Sequence, residues 1–536
     1  MKKNLYTMNK NTKKKCCSVL FLLSFTLTLS AQVCNVIPRP QTINFSNGEI
    51  ELSNYDISYY VPELEKDAKL LRSKLDEIGK RGTVVLRKKI KRSQRGIILL
   101  SDQSFHPEAY QLKITPKQVV ICGGSNAAVF YGAQTFLQQL ESGKLYAGTI
   151  SDEPRYAWRG LMLDESRHFF GVEKVKQLLD VMAYYKLNKL HWHLTDEPAW
   201  RLEIKKYPLL TEVGGRGNWH DPNDTTALFY THDEVRELVA YAAERHIDVV
   251  PEIDMPGHAT AACRAYPFLS GGGTKEHPDF TFNVASDSVY SFLTDVMREV
   301  ASLFPFYCIH LGGDEVAYGI DAWKKNSQIQ ALMQREGYTN VRQAEGYFMR
   351  RMMDSVRALG KTPMGWDEVV TLGVSEQTPV MWWRHDQPSE LNRALKNGFT
   401  TILCPRLPLY FDFIQNKGHR WGRTWGGKYV PIEDVYAFPD SSWAKWKLSA
   451  EQTSRIIGMQ ANVWSERMQN VQRLDFMIYP RLCALAESAW THPMDKDYAD
   501  FSRRLEFAYQ FFDGLHIYYY DTRNSSAHPE PKGVEK

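Results

Sequence analysis

Residues 232–258 read His-Asp-Glu-Val-Arg-Glu-Leu-Val-Ala-Tyr-Ala-Ala-Glu-Arg-His-Ile-Asp-Val-Val-Pro-Glu-Ile-Asp-Met-Pro-Gly-His, and they hold the unit from which the fold is read. Asp233–Arg245 has the spacing of an amphipathic helix, and Asp248–Ile253 is a short apolar run of the buried-strand type. Glu252, Asp254 and His258 stand at the end of that run, so helix, strand and polar loop follow in order. The same order recurs after Asp152-Glu153-Pro154. Strands are expected at Gly160–Asp164, Lys189–Leu194, Asp248–Ile253, Cys308–Gly312, Thr362–Trp366, Val380–Trp383, Thr400–Cys404 and Ile456–Ala461. Val172–Tyr185 and Tyr290–Leu303 are among the helices between them. Eight buried strands alternating with helices predict an α/β chain built as a (β/α)8 TIM barrel, ~250 residues before loop insertions. A doubly wound sheet is the competing arrangement, weakened because no glycine-rich phosphate loop follows any strand.

Outward from the barrel, the segment before it is mixed. Tyr55–Val61 alternates like a strand, and Leu64, Ala68, Leu71, Leu75 and Ile78 recur at helical spacing. Extended runs at Thr83–Leu86, Gly96–Leu100, Tyr110–Ile114 and Val119–Cys122 follow, then a helix over Ala127–Leu140 capped by Ser125 or Asn126. This predicts a small α+β domain over 32–150 ahead of a barrel over 151–520, with 521–536 a disordered tail.

At the amino end, Lys2, Lys3, Lys10, Lys13, Lys14 and Lys15 precede a short apolar run, Val19–Leu29, and Ser30-Ala31-Gln32 follows it. That order describes a secretory signal peptide over 1–31 and predicts export to the periplasm or the medium. The run is too short to span a bilayer. Without those six lysines the formal charge of +4 falls to −2, so the chain has no basic footprint for nucleic acid. The cysteines are scattered singly with no CxxC pair, which indicates neither a zinc ribbon nor a disulfide scaffold. Cys34 is positioned for a lipid, but Ala31-Gln32-Val33 is a poor approach to a lipidation cysteine.

In a barrel of this kind, chemistry collects at the C-terminal ends of the strands. The unusual residues stand there: Asp164 to His168, His191 to Asp196, Glu252 to His258, His310 to Glu315, Trp366-Asp367-Glu368, Trp382-Trp383, and Trp464 with Glu466. Carboxylic acids can protonate a glycosidic oxygen and bind hydroxyls, while indole faces stack on pyranose rings. A lone tryptophan would more simply be core, but four at strand ends beside acids and glycines indicate a sugar pocket. Asp314 and Glu315 are neighbours, and in extended backbone neighbours face opposite ways. They therefore suit different tasks on one sugar, with Gly312-Gly313 before them implying close backbone approach. A rival reading takes His191 and His193, at period two, with His258, His310 and Asp314 as the start of a metal-dependent hydrolase.

These motifs together resemble family 20 glycoside hydrolases, the exo-acting β-N-acetylhexosaminidases. The matching runs are Trp158-Arg159-Gly160 through Asp164-x-x-Arg167-His168, Val250-Pro251-Glu252-Ile253-Asp254-x-Pro256-Gly257-His258, His310-x-Gly312-Gly313-Asp314-Glu315, Gly365-Trp366-Asp367-Glu368 and Trp464-x-Glu466. Pro107-Glu108-Ala109-Tyr110 and Phe130-Tyr131-Gly132-x-Gln134-Thr135 extend the resemblance into the front domain. The resemblance implies exo-hydrolysis of terminal non-reducing β-linked N-acetylhexosamine from a glycan, with retained configuration and the 2-acetamido group as nucleophile. It implies Glu315 as acid/base, Asp314 on the acetamido N–H, and Tyr410 as donor to the acetamido oxygen. Trp366, Trp464 and one of Trp382 and Trp383 would box the sugar, and Arg159, Asp412 and Glu466 would bind its hydroxyls. Asp196, His258 and His310 would support the acidic pair. No metal or other cofactor is implied. One departure is visible: Asp196-Glu197-Pro198-Ala199-Trp200 replaces the usual Asp-Asp-Gln-Gly-Trp. A non-catalytic glycan-binding descendant of the fold is the alternative, against which the intact Asp314 and Glu315 stand.

Overall fold

The computed structural model describes residues 34–51, 55–89, 95–143 and 145–533. The leader read at 1–31 lies outside them. The described residues hold no helix long and apolar enough to cross a membrane and no disulfide among their six cysteines.

The front of the chain folds into a seven-stranded sheet: β1 (Thr42–Ile50), β2 (Ile57–Tyr59), β3 (Val84–Leu86), β4 (Gly96–Ser101), β5 (Tyr110–Ile114), β6 (Gln118–Gly123) and β7 (Leu145–Asp152). Their order is β1-β7-β5-β6-β4-β2-β3. Pairing is parallel from β3 to β6 through β2 and β4, and antiparallel from β6 through β5 and β7 to β1. Helices α1 (Glu65–Glu77) and α2 (Asn126–Glu141) accompany the sheet. Ser125 caps α2, its hydroxyl accepting from Ala128 N at 3.3 Å. Every residue of α2 from Ala128 to Gln139 is buried. A helix covered all round needs a partner on both sides. It has the sheet on one, and on the other the barrel, where Gln138 Nε2 donates to Tyr184 O at 2.8 Å.

The barrel strands are Trp158–Asp164, Lys189–His193, Asp248–Glu252, Cys308–His310, Thr362–Trp366, Val380–Trp382, Thr401–Leu403 and Ile456–Val463. All neighbours are parallel, and the eighth closes on the first from Gly458/Trp158 to Val463/Leu163. The eight strands lie where the hydropathy runs place them. Alternation decides which side chains enter the barrel. His191 and His193 point inward, whereas Trp192 between them faces the outer layer against Tyr230 and Phe304.

The segment after Tyr520, expected to be a disordered tail, is tied down through Gly533. Glu530 accepts from Arg420 N at 2.7 Å and Trp421 N at 2.9 Å, and it pairs with the buried Arg473 at 2.9 Å. Short polar sequence predicts disorder only where nothing recruits its groups. Here an acid meets an otherwise expensive buried guanidinium. The strap fixes the loop that carries Arg423 into the site.

Candidate active site

All eight strand ends contribute to one cavity and its walls at the C-terminal mouth of the barrel. The lining includes Arg167 after the first strand, His258 after the third, Asp314 and Glu315 after the fourth, and Trp366 ending the fifth. Trp383 follows the sixth, Tyr410 and Arg406 the seventh, and Trp464 and Glu466 the eighth. Asp196, from the second, lies just behind Arg167 and His258.

The acidic pair rests on a backbone few residues can adopt. Gly312 and Gly313 have φ of 68° and 91°. A Cβ on Gly312 would fall 1.7 Å from Asp254 Oδ1, so the pair of glycines is required. Glu315 itself is left-handed, φ 51°. Asp314 and Glu315 are thus not the extended neighbours expected from sequence. The turn brings both carboxyl groups toward one imidazole, with His258 Nε2 at 3.6 Å from Asp314 Oδ2 and 3.8 Å from Glu315 Oε2. Asp314 is buried with Oδ1 lacking a protein partner, while the Glu315 side chain is 33% exposed. Burial and then the Asp254 carboxylate push the Asp314 carboxyl well above the usual carboxylate range, against the pull of His258.

Behind His258 stands Asp196, whose Oδ1 meets His258 Nδ1 at 3.0 Å and whose Oδ2 meets Arg167 Nη2 at 2.7 Å. Burial opposes charge on His258. Asp196, Asp254 and Asp314 outweigh it and hold the imidazole well above its usual range. Arg167 also lies 3.5 Å from Asp164, which caps its loop by accepting from Ser166 N and Arg167 N. Its guanidinium stands 5.1 Å over the Trp464 ring.

The aromatic wall is continuous. Trp366 and Trp464 have centroids 5.9 Å apart, Tyr410 and Trp464 6.0 Å, and Trp383 stacks on Tyr410 at 6.3 Å and 17°. Two rings are anchored by carboxylates: Trp366 Nε1 donates to Glu252 at 2.9 Å, and Trp383 Nε1 to Glu368 at 3.0 Å. Burial raises the Tyr410 phenol well above its ordinary value, so it is a hydroxyl donor. Beside Tyr410, Arg423 ties Asp412 (2.9 Å) to Glu466 (3.2 Å). Burial pushes Asp412 up to about 6, with Arg423 opposing and Glu466 adding to the rise.

Three expectations change. Arg159, second residue of the first strand, lies at the opposite end of the barrel, fully buried. Its donors go to Glu108 at 2.8 Å, Tyr156 O at 2.7 Å, Lys186 O at 2.9 Å and Tyr131 OH at 3.1 Å. It joins the front domain to the barrel and cannot reach the cavity, where Arg167 stands instead. Trp382 points outward against Trp446, centroids 5.5 Å apart, so Trp383 is the pocket residue. His310 contacts Glu252 at 2.8 Å and the Trp366 ring, not the acidic pair, and supports the floor. Arg167, Arg406, Arg423, Glu252 and Glu368 receive no role from the sequence. Arg167, Glu252 and Glu368 lie inside the family motifs at strand ends, which is the available signal. Arg423 has none, because its loop is placed by the distant Glu530.

Asp254, His258 and Asp314 bring one potential ligand atom each within 4.8 Å of the others, as do His191, Glu252 and His310. His258 is engaged by Asp196 through Nδ1 at 3.0 Å, and its Nε2 faces Asp314 and Glu315 at 3.6 and 3.8 Å. His191 and His310 stand at hydrogen-bond separations of 2.9 and 2.8 Å from Glu252, and Glu252 also carries Trp366. These groups are committed to one another.

Residues 156–493 match the model for the catalytic domain of glycosyl hydrolase family 20, and residues 33–153 match that for its domain 2. A beta-hexosaminidase of Porphyromonas gingivalis is 36% identical over 88% of this chain, which spans 62% of that protein's length. A Vibrio furnissii beta-hexosaminidase is 36% identical over 73% of this chain and 67% of its own. The crystal structure of an exo beta-N-acetylglucosaminidase from Vibrio harveyi, in complex with N-acetylglucosamine, superimposes with a TM-score of 0.81 at 32% identity. It covers 91% of this chain and 78% of its own.

Proposed function

The chain belongs to glycosyl hydrolase family 20, and from that premise we propose that it is an exo-acting β-N-acetylhexosaminidase, releasing terminal GlcNAc, or its epimer GalNAc, from the non-reducing ends of glycans. One observation carries the reading: Glu315 is flanked by Asp314 rather than faced by a second carboxylate. Among the described residues the remaining acid lining the cavity, Glu466, is held by Arg423. Among the described residues the lining offers no free carboxylate as nucleophile opposite the acid, while Asp314 and Tyr410 offer two handles for an acetamide. Family 20 glycosidases depart from the two-carboxylate scheme in this way, the substrate assisting its own hydrolysis.

In this mechanism Trp366, Trp383 and Trp464 confine the N-acetyl sugar. Asp314 accepts the acetamido N–H, and Tyr410 donates to the acetamido oxygen. That oxygen attacks the anomeric carbon as its bond to the leaving oxygen breaks, and Glu315 gives the leaving oxygen its proton. Asp314, as carboxylate, stabilises the positive charge that spreads over the cyclised acetamide, and that developing charge favours its ionised form against the burial that raises its pKa. Glu315 then takes a proton from water, which opens the ring at the same face and retains configuration. Arg167, Asp412 and Glu466 read the hydroxyls at the far end of the sugar, and Asp196 with His258 orients the acidic pair. With Trp464, Glu466 and Arg423 lining the pocket beside Tyr410, we read that side as its end wall, so that only a chain end fits. Release of single sugars from the non-reducing end of a reduced oligosaccharide is expected; internal cleavage as the first event would overturn the reading. The basic, apolar and small-residue order of 1–31 supports export, and an amino terminus still intact after secretion would contradict it.

A further inference from the structure

Directly after Glu315, a short 3-10 turn places Tyr318 outside the cavity yet against the acid, its hydroxyl 3.4 Å from Glu315 Oε1. One face of the Tyr318 ring is covered: His277 stacks on it, centroids 5.2 Å apart and planes 9° apart. Phe280 meets both rings edge-on. His277 is in turn held by Glu197, 3.0 Å from its Nδ1. Glu197 belongs to the Asp196-Glu197-Pro198-Ala199-Trp200 run, the place where the sequence departs from its family, and its own N–H donates to Asp196 at 2.6 Å. Despite this bracing, Tyr318 remains 47% exposed.

The cavity is also lined by Arg406, whose guanidinium lies 5.0 Å from the Trp383 ring and 3.8 Å from that of Trp425. Asp386 holds one of its nitrogens at 3.0 Å. Arg406 lines the same cavity as Glu315, and the Tyr318 hydroxyl lies against Glu315 from outside it, so both side chains border the acid. Trp425 beside Arg406 is 41% exposed. An immobilised aromatic ring with one free face, near the same acid as a fixed guanidinium, is the equipment for a pyranose: stacking for its apolar face and N–H donors for its oxygens.

We infer that Tyr318 and Arg406 form the subsite for the sugar on the leaving side of the scissile bond, with Glu197 and His277 as its positioning residues. This rests on the hexosaminidase reading, because it is Glu315 as acid that locates the leaving oxygen. The preferred substrate is then an oligosaccharide whose penultimate unit is a pyranose, rather than a glycoside of a small alcohol.

The test is a ratio: kcat/KM for the β-1,4-linked dimer of N-acetylglucosamine divided by that for methyl 2-acetamido-2-deoxy-β-D-glucopyranoside. Tyr318→Ala and Arg406→Met should each lower the ratio about tenfold, the scale of one ring contact or one ion-dipole contact. Tyr318→Phe keeps the ring and should stay within about twofold of the parent ratio. Unchanged ratios in Tyr318→Ala and Arg406→Met would overturn the subsite. A Tyr318→Phe ratio as low as that of Tyr318→Ala would overturn stacking as its basis. If the parent protein cleaves neither substrate, the hexosaminidase reading fails; if it cleaves both, only the subsite is at stake.

Discussion

Arg159 and Arg167 belong to the same strand and its loop, both are buried, and both meet carboxylates, yet they serve opposite ends of the barrel. Arg159 spends its donors on acceptors of the protein: Glu108 from the front domain, two backbone carbonyls and a phenol. Arg167 is held by Asp196 and Asp164 but keeps Nε without a protein partner, and it lines the cavity. Burial and charge pairing alone do not distinguish a structural arginine from one awaiting a ligand. The strand direction does, since the C-terminal end faces the site and the N-terminal end faces the junction.

The largest effect expected at the rim comes from Glu315→Gln. It should lower kcat/KM on an oligosaccharide by about 10²–10⁴-fold with thermal stability retained, and spare substrates with activated leaving groups. An equal loss on both substrate types would remove Glu315 from the acid role. The two arginines come next. Arg167→Lys keeps the charge but loses the fork, so kcat/KM should fall about 10- to 100-fold, the worth of charge-assisted hydrogen bonds of ~1.5–3 kcal/mol. Arg159→Ala should instead cost about 3–5 kcal/mol of stability by stranding buried partners. Activity per folded molecule should be retained. A lowered substrate affinity in Arg159→Ala, with an unchanged melting temperature, would break the contrast between the two ends.

A pH profile sharpens it. His258 is held above the usual imidazole range, so its ion pairs are complete below about pH 6.5 and are lost as pH rises through its raised value. The alkaline limb of kcat/KM should therefore lie above pH 6.5. In Asp196→Asn, which removes the strongest of the carboxylates holding that proton, the limb should move to lower pH by about one unit. An unmoved limb would assign the titration elsewhere. The smallest effect separates two adjacent tryptophans. Trp383→Phe should reduce kcat/KM severalfold through the lost Glu368 contact and stacking on Tyr410. Trp382→Phe should leave kcat/KM unaltered and cost about 1–3 kcal/mol of packing against Trp446.

The barrel is legible because its strands are short apolar runs, each ending in polar residues, and burial on both faces leaves that pattern unbroken. The front sheet is less so. β1 and β7 pair across the whole domain, but β1 carries Asn44, Ser46 and Gly48 around a register shift between Phe45 and Glu49. Gly148 in β7 lies so close to Asn44 O that a Cβ would fall 2.3 Å away. Such residues read locally as turns, and only the bulge makes them strand. In the site, Asp314, Glu315 and Tyr410 stand in one cavity as motif and strand end imply. Arg159 is drawn in by its motif against the strand-direction rule, and choosing between Trp382 and Trp383 needs the alternation at the end of Val380–Trp382. Arg423 and Tyr318 depend on long-range supports, Glu530 and Glu197 with His277, which no local pattern announces.

The central claim is that the substrate's own acetamide is the nucleophile in a pocket where Asp314 flanks Glu315. The direct test compares kcat/KM for p-nitrophenyl 2-acetamido-2-deoxy-β-D-glucopyranoside with that for p-nitrophenyl β-D-glucopyranoside, which has a hydroxyl in place of the acetamide. A preference of at least about 10³-fold for the acetamido substrate is predicted, corresponding to roughly 4 kcal/mol at the transition state. Equal turnover of the two would contradict it.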